Sequence, residues 1–322
     1  MGPTIKPVDR KLLISELTAD KYIRTTGKGE NELYEVTYKD SPNIMREIGR
    51  LREIAFRVAG GGTGKDCDID EFDTDPTTPY RQLIVWDPEN QEIIGGYRYL
   101  LCGGTPIEKM ATSELFDFSE EFVRDYLPFT IELGRSFVQP SYQSGNLKRK
   151  GIYALDNLWD GLGALMLKYD NYKYFFGKVT MYTSYNIKAR NTLLNFLHKY
   201  FPDPEKLVLA KEEIDIDSSN RYYEELFKDL DYKEAYKVLQ REVKLNGEFI
   251  PPLINSYMNL SPSMKVFGTA INTGFGGVEE TGILVNIKDI YQEKTERHLR
   301  PMQMVLRSLA MRFRPKWWRK TL

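Results

Sequence analysis

Cysteine and histidine are the scarce reactive residues of this chain, two of each among 322. The cysteines, Cys67 and Cys102, are too few for a disulfide framework and point to a reducing compartment. His198 and His298 are not sequence-linked to either cysteine, which argues against a Cys–His nucleophile and leaves both thiols as small packing residues. Long apolar runs are missing too. No segment approaches the roughly 20 apolar residues of a membrane span, and no N-terminal stretch resembles a signal peptide. Charge of one sign is also absent: 45 basic against 46 acidic residues leave a formal net charge of −1, with no global sign of nucleic-acid binding. The expectation is a cytoplasmic protein, attached at most peripherally to the membrane. At 41% apolar residues the chain can bury one large core or two moderate ones.

Among what is present, Thr130 to Val138 is the most informative stretch, because Glu132 and Arg135 stand three residues apart in an otherwise apolar strand pattern. Alternate residues of a regular strand face opposite sides, so the two would point apart unless an extra residue enters the ladder. Gly134 marks the place for such a bulge, which would turn both charges toward one cleft and free N–H groups for a ligand carbonyl. A purely structural ion pair is the alternative.

Upstream, Asn31 to Tyr38 alternates like a strand, and Ser41-Pro42 offers an N-cap with proline at the first helical position. Ile44, Ile48, Leu51, Ala55 and Val58 then repeat at helical spacing, with Arg52 and Phe56 one turn apart on a shared face. The helix stops in Gly60 to Gly64, a cluster that reads as a flexible loop in preference to a phosphate cradle. Asp68 to Asp73 is dense in carboxylates but lacks the glycine and final glutamate of a calcium loop, so no metal is expected. A solvated acidic turn and a site for a cationic amine both remain. Arg81 to Trp86 and Ile93 to Leu101 read as a hairpin around Asp87-Pro88-Glu89-Asn90. Gly95-Gly96 in its second strand permits close backbone approach beside Arg98.

Past the Glu132/Arg135 strand, the loop from Ser141 to Gly151 holds Lys148, Arg149 and Lys150, which suit an anionic partner or a solvated surface. A helix over Ala154 to Tyr169, a strand over Tyr174 to Tyr182 and an amphipathic helix over Lys188 to Tyr200 follow. Residues 202–246 turn charged and tyrosine-rich and read as a helical insertion; Phe249 to Ile254 and Phe267 to Ile287 return to strand-like runs. From Arg297 to Leu322 there are eight basic and no acidic residues, interleaved with methionine, leucine and Trp317-Trp318. That pattern favours the lipid interface over RNA.

Arg52 with Phe56, the Asp70-Glu71-Phe72-Asp73 turn, Gly96-Tyr97-Arg98 and Glu132-Leu133-Gly134-Arg135, in this order and spacing, resemble the GNAT-like acyltransferases that use acyl carrier protein. Two branches share the layout, the acyl-homoserine lactone synthases and the N-acyl amino acid synthases of ornithine and glycine lipids. The second is the better match, through Gly151 to Tyr169, Ile250-Pro251-Pro252-Leu253 and Phe267-Gly268-Thr269-Ala270. The resemblance implies an α/β (α+β) fold with a mixed, largely antiparallel sheet flanked by helices. It divides the chain into an N-terminal extension (1–30), an acyltransferase core (31–201), a charged helical insertion (202–246), the completion of the core (247–292) and a basic amphipathic tail (293–322).

The implied activity is transfer of a long, 3-hydroxylated acyl group to an amino acid, with glycine ahead of ornithine; a homoserine-lactone-type synthase or a non-enzymatic carrier-binding adaptor are the alternatives. Glu132, Gly134 and Arg135 would form the catalytic group, with Glu132 as base, directly or through water, N–H groups at the Gly134 bulge facing the oxyanion and Arg135 holding Glu132 ionised. Arg52, Phe56, Asp70, Asp73 and Arg98 would surround the acceptor. Val138, Lys148, Arg149, Lys150, Asn186 and Arg190 would meet the donor, an acyl-phosphopantetheine, and no cofactor would be tightly bound. Gln143-Ser144-Gly145-Asn146 departs from the usual pyrophosphate loop, which favours acyl carrier protein over free coenzyme A.

Overall fold

The computed structural model describes residues 2–143 and 149–298, with 149 and 150 by their backbone alone. In chain order the elements are α1 (Arg10–Glu16), β1 (Tyr22–Thr25), β2 (Glu32–Val36), α2 (Pro42–Ala59), α3 (Glu71–Thr74), β3 (Arg81–Asp87), β4 (Glu92–Leu101), β5 (Phe116–Phe118), β6 (Thr130–Val138), α4 (Ala154–Lys168), β7 (Tyr174–Met181), α5 (Ile187–Tyr200), β8 (Val208–Ala210), α6 (Arg221–Leu226), α7 (Tyr232–Leu245), α8 (Pro252–Met258), β9 (Lys265–Asn272) and β10 (Val278–Asn286). Eight strands form one sheet in the order β1-β2-β3-β4-β6-β7-β10-β9, antiparallel throughout except for the central β6/β7 pair. The fold is the mixed, largely antiparallel α/β arrangement expected.

One face of the sheet packs against α4, α5, α7 and α8, with Leu83, Tyr97, Ile131, Leu133 and Val285 meeting Leu158, Leu165, Leu193, Leu239 and Ile254. Gly161 lets α4 lie close: a Cβ there would come within 2.5 Å of Leu83 Cδ2. The other face carries two apolar clusters. Ile44, Ile48, Leu51 and Ala55 of α2 cover Val36, Ile84 and Trp86, while Tyr80, Leu100, Phe122, Phe176 and Leu284 pack at the opposite end. Between these clusters lies a belt of charge, described below.

Several local expectations change form. Ser41 does not cap α2 with its side chain; Glu16 does so, accepting from Asn43 N at 3.1 Å and Ile44 N at 2.9 Å. Val58 of the apolar repeat stays 66% exposed. The glycine cluster is a loop, the preferred reading, and its Thr63 N and Gly64 N donate to Glu53, at 3.0 and 2.8 Å, not to a phosphate. Phe249 to Ile254 is not a strand. Pro252 opens α8, since proline's fixed φ and missing N–H suit the first helical position. Residues 202–246 contribute Phe227, Ala235, Leu239 and Val243 to the main core, and β1 within residues 1–30 joins the main sheet. Neither segment is an appendage. Among the described residues no helix is long and apolar enough to cross a membrane.

Candidate active site

β4 and β6 fall out of step by one residue: Gly96 faces Phe137 while Arg98 faces Gly134. The extra residue sits on β6, and Arg135 takes the left-handed backbone, with φ at 50°. A bulge is therefore present where expected, but Arg135, not Gly134, is the strained residue. Such a conformation costs a non-glycine residue about 1–3 kcal/mol and persists only where its surroundings hold it. Here it brings the guanidinium round to the face of Glu132 and Arg98, where Nε lies 3.2 Å from Asp68 and an amino group 3.5 Å from Asp70.

Sharing a face does not put Glu132 and Arg135 in one crevice. Glu132 is 1% exposed, accepts from the Tyr80 hydroxyl and from Thr112 N at 2.9 Å, and lines neither cavity described below. Burial pushes its carboxyl above the ordinary range against those two hydrogen bonds. Arg135 does not pair with it. Glu132, expected as a base acting directly or through water, and its expected arginine partner are thus separated, because Tyr80 and Thr112 close over the carboxylate.

Arg52 and Asp73 are sealed as well. Both are fully buried, joined at 3.0 Å, with Gln82 bonding each. Neither can touch an acceptor. Asp70 and Arg98 do reach open space: Arg98 donates to both Asp70 oxygens at 2.6 and 2.7 Å, and its guanidinium lies 4.8 Å from the centre of the Tyr80 ring. Burial pushes the Asp70 carboxyl up, but the charges of Arg98 and Arg135 outweigh it and hold that group well below the carboxylate range. The acidic turn is accordingly an arginine-paired cluster.

The space these charges face is set by the sheet. β6 and β7 pair only from Thr130↔Tyr174 to Leu133↔Gly177. Beyond that point β6 stays with β4 and β7 with β10, so the two central strands part and leave backbone groups without ladder partners. A cavity of about 230 Å³ occupies the gap and crosses the sheet: Tyr97, Leu133, Leu158, Trp159 and Leu162 line one side, and Phe56, Arg135, Lys178 and Glu280 the other. A second, polar cavity of about 150 Å³ adjoins it, lined by Lys65, Asp70, Glu71, Arg98 and Glu114. Arg135, Lys178 and Phe275 wall both. Partial burial pushes the Glu114 carboxyl up despite Lys178.

Of the expected acceptor residues, Asp70 and Arg98 thus line the polar cavity and Phe56 the apolar one. The expected donor residues are not gathered. Asn186 caps α5, accepting from Lys188 N and Ala189 N. Arg190 is paired with Glu279 at 2.5 Å, and neither it nor Val138 lines the gap. Lys148 and the side chains of Arg149 and Lys150 lie outside the described residues, as does the tail beyond residue 298. Lys178 and Glu280 are not among the expected residues, although Lys178 directly follows Gly177 in an otherwise apolar strand pattern, as Arg135 follows Gly134.

Against this geometry the relatives are informative. Residues 51–150 match the acetyltransferase (GNAT) domain family. The chain is 53% identical over 306 residues to glycine N(alpha)-acyltransferase of Phocaeicola vulgatus, covering 93% of each. With that of Bacteroides thetaiotaomicron it shares 54% over 306 residues, covering 93% of this chain and 90% of the relative. The chain belongs to the glycine N(alpha)-acyltransferase family. Among solved structures, the AHL synthase LasI is similar over 46% of this chain and 71% of its own, at 15% identity and a TM-score of 0.32.

Proposed function

We propose that this acyltransferase moves a long acyl chain from acyl carrier protein to the amino group of glycine, yielding an N-acylglycine, the lyso form of an aminolipid. The observation that carries this reading is the passage through the sheet at β6/β7, apolar on one side and charged on the other. A thioester arm threading the gap would leave its chain among Leu158, Trp159 and Leu162 and present its carbonyl between Arg135 and Lys178. Glycine, with no side chain to house, suits the small polar cavity. The names of the two relatives favour it over ornithine.

Attack requires a neutral amine and a polarised carbonyl. In our reading Arg98 or Arg135 forks the glycine carboxylate, as lysine cannot. Glu114, which lines the polar cavity and whose carboxyl partial burial pushes up, takes the ammonium proton. N–H groups freed at the Gly134–Arg135 bulge face the carbonyl oxygen. Glu132 acts at one remove, fixing Tyr80 and through its ring Arg98. The donor is assigned to carrier protein because Gln143-Ser144-Gly145-Asn146 departs from the pyrophosphate pattern, and because Lys148-Arg149-Lys150 would complement an acidic partner. The basic, tryptophan-bearing tail would rest on the membrane that receives the product.

Purified protein given either 3-hydroxyacyl carrier protein or the matching coenzyme A ester, with glycine or ornithine, tests all of this by mass spectrometry of the product. Acylglycine formed from the carrier-bound donor is the expected outcome. Acylornithine alone would overturn the acceptor, and equal use of coenzyme A the donor.

A further inference from the structure

Lys178 follows Gly177, the last residue of β7 to pair with β6, and so stands at the point where the strands part. Its side chain is 14% exposed and lines both cavities. The ammonium is in contact with Glu280 of β10, itself 3% exposed. Glu280 is fixed on both oxygens, accepting from Asn272 Nδ2 at 2.8 Å and from the Thr180 hydroxyl at 3.2 Å. Burial pushes the Glu280 carboxyl up, but Lys178 outweighs it, helped by Asn272, and holds it below the ordinary range. The anion therefore persists and anchors the cation. An ammonium carries three donors, and this one borders both cavities, where a ligand oxygen can accept from it. A buried ion pair is a poor source of stability, since desolvation opposes the attraction between its members. Its position at the gap asks for another explanation.

We propose that Lys178, held by Glu280, is a catalytic residue whose ammonium donates to the thioester carbonyl oxygen and stabilises the charge that develops there as the amine attacks. This rests on the N-acyl transfer reading above and adds a charged donor to the bulge N–H groups. As the C–N bond forms, the carbonyl π pair moves onto oxygen beside Lys178. On collapse that pair returns, the C–S bond breaks with its electrons on sulfur, and a proton lost by nitrogen ends on the thiol. Lys178 stays protonated throughout, and nothing is oxidised or reduced. Glu280 is a positioning residue.

Lys178→Met and Lys178→Cys, the latter before and after alkylation with 2-bromoethylamine to rebuild an ammonium side chain, give the test. Both unmodified variants should lose about 100- to 1,000-fold in kcat, as for loss of an oxyanion donor, with KM for glycine within about threefold. Alkylation should restore at least about tenfold, and wild-type protein treated identically should not gain. A kcat within about fivefold of wild type in folded Lys178→Met, a loss carried by KM, or no recovery on alkylation would overturn the proposal; if the Met variant fails to fold, the alkylated Cys variant decides. In Glu280→Gln the ammonium loses its anchor, so kcat should fall at least about tenfold with KM for glycine held, and Glu280→Asp should recover part of that loss. An unchanged kcat in Glu280→Gln would remove Glu280 from the account. Wild-type protein that forms no acylglycine would instead defeat the underlying reading, which separates the two failures.

Discussion

Two clusters of charged and polar side chains sit against the same face of the sheet and differ above all in what they can reach. Arg52, Asp73, Gln82 and Glu132 are closed off by α2, Tyr80 and Thr112, each no more than 1% exposed. Asp70, Arg98, Glu114, Arg135 and Lys178 look into the cavities where the strands part. Both groups carry the residue types expected of an active site, and only the second can meet a substrate. The sealed group is scaffolding: Arg52 ties α2 to Asp73, Asp73 sits within 3.3 Å of Arg98, and Arg98 in turn holds Asp70 at the cavity wall. Damage to it should register first as lost stability, and damage to the open group first as lost turnover.

The sharpest way to break this contrast is Arg52→Met, which leaves Asp73 buried with a weakened complement of charge. A loss of about 3–5 kcal/mol is expected, read as a lower urea midpoint, with activity per folded molecule falling less than the folded fraction. Unchanged stability with abolished turnover would move Arg52 into the open group. Glu114→Gln should do the reverse, lowering kcat by about 100-fold while the melting temperature holds. Tyr80→Phe deprives Glu132 of a hydrogen bond inside the sealed group, and about 1–3 kcal/mol of stability should go with it.

Acid sensitivity should follow the open group. The Asp70 carboxyl is held low in the fold, so its contribution is present above its unfolded pKa of about 3.8 and is lost as pH falls toward the folded value. Asp68 and Glu132, raised by burial, act in the opposite sense and favour the fold at low pH. Asp70→Asn should therefore flatten the acid limb of stability between about pH 4 and 2, as measured by urea unfolding across that range. The smallest effect is expected from Trp159→Ala. It should widen the range of acyl-chain lengths used without changing the acceptor, as seen by competition between donors.

Much of this was legible from the residues alone. Alternation and helical spacing located the hairpin, β6, α2 and α4, and Gly134 announced the bulge, because these signals depend on neighbours in sequence. Close backbone approach at Gly95 and Gly96 was equally readable, and a Cβ there would meet the carbonyls of Phe137 and Leu83 within 2.5 Å. Other features depend on partners distant in the chain. Thr180 opposes Glu280 across the β7/β10 ladder, so the pair of Lys178 with Glu280 exists only once a hundred intervening residues have folded. Whether Glu132 is open or closed turns on Tyr80 and Thr112, which no local pattern ties to it. Pro251-Pro252 misled for a related reason, since prolines interrupt a strand pattern and open a helix equally well.

The central claim is that donor and acceptor meet where β6 and β7 separate. Crosslinking with a pantetheine thioester bearing a diazirine next to the carbonyl, followed by peptide mapping, addresses it directly. Labels on Leu133 to Ser136 and on Gly177 to Thr180, suppressed by excess unlabelled donor, are the outcome this account requires. Suppressible labelling confined to other parts of the surface, with those two strands untouched, would contradict it.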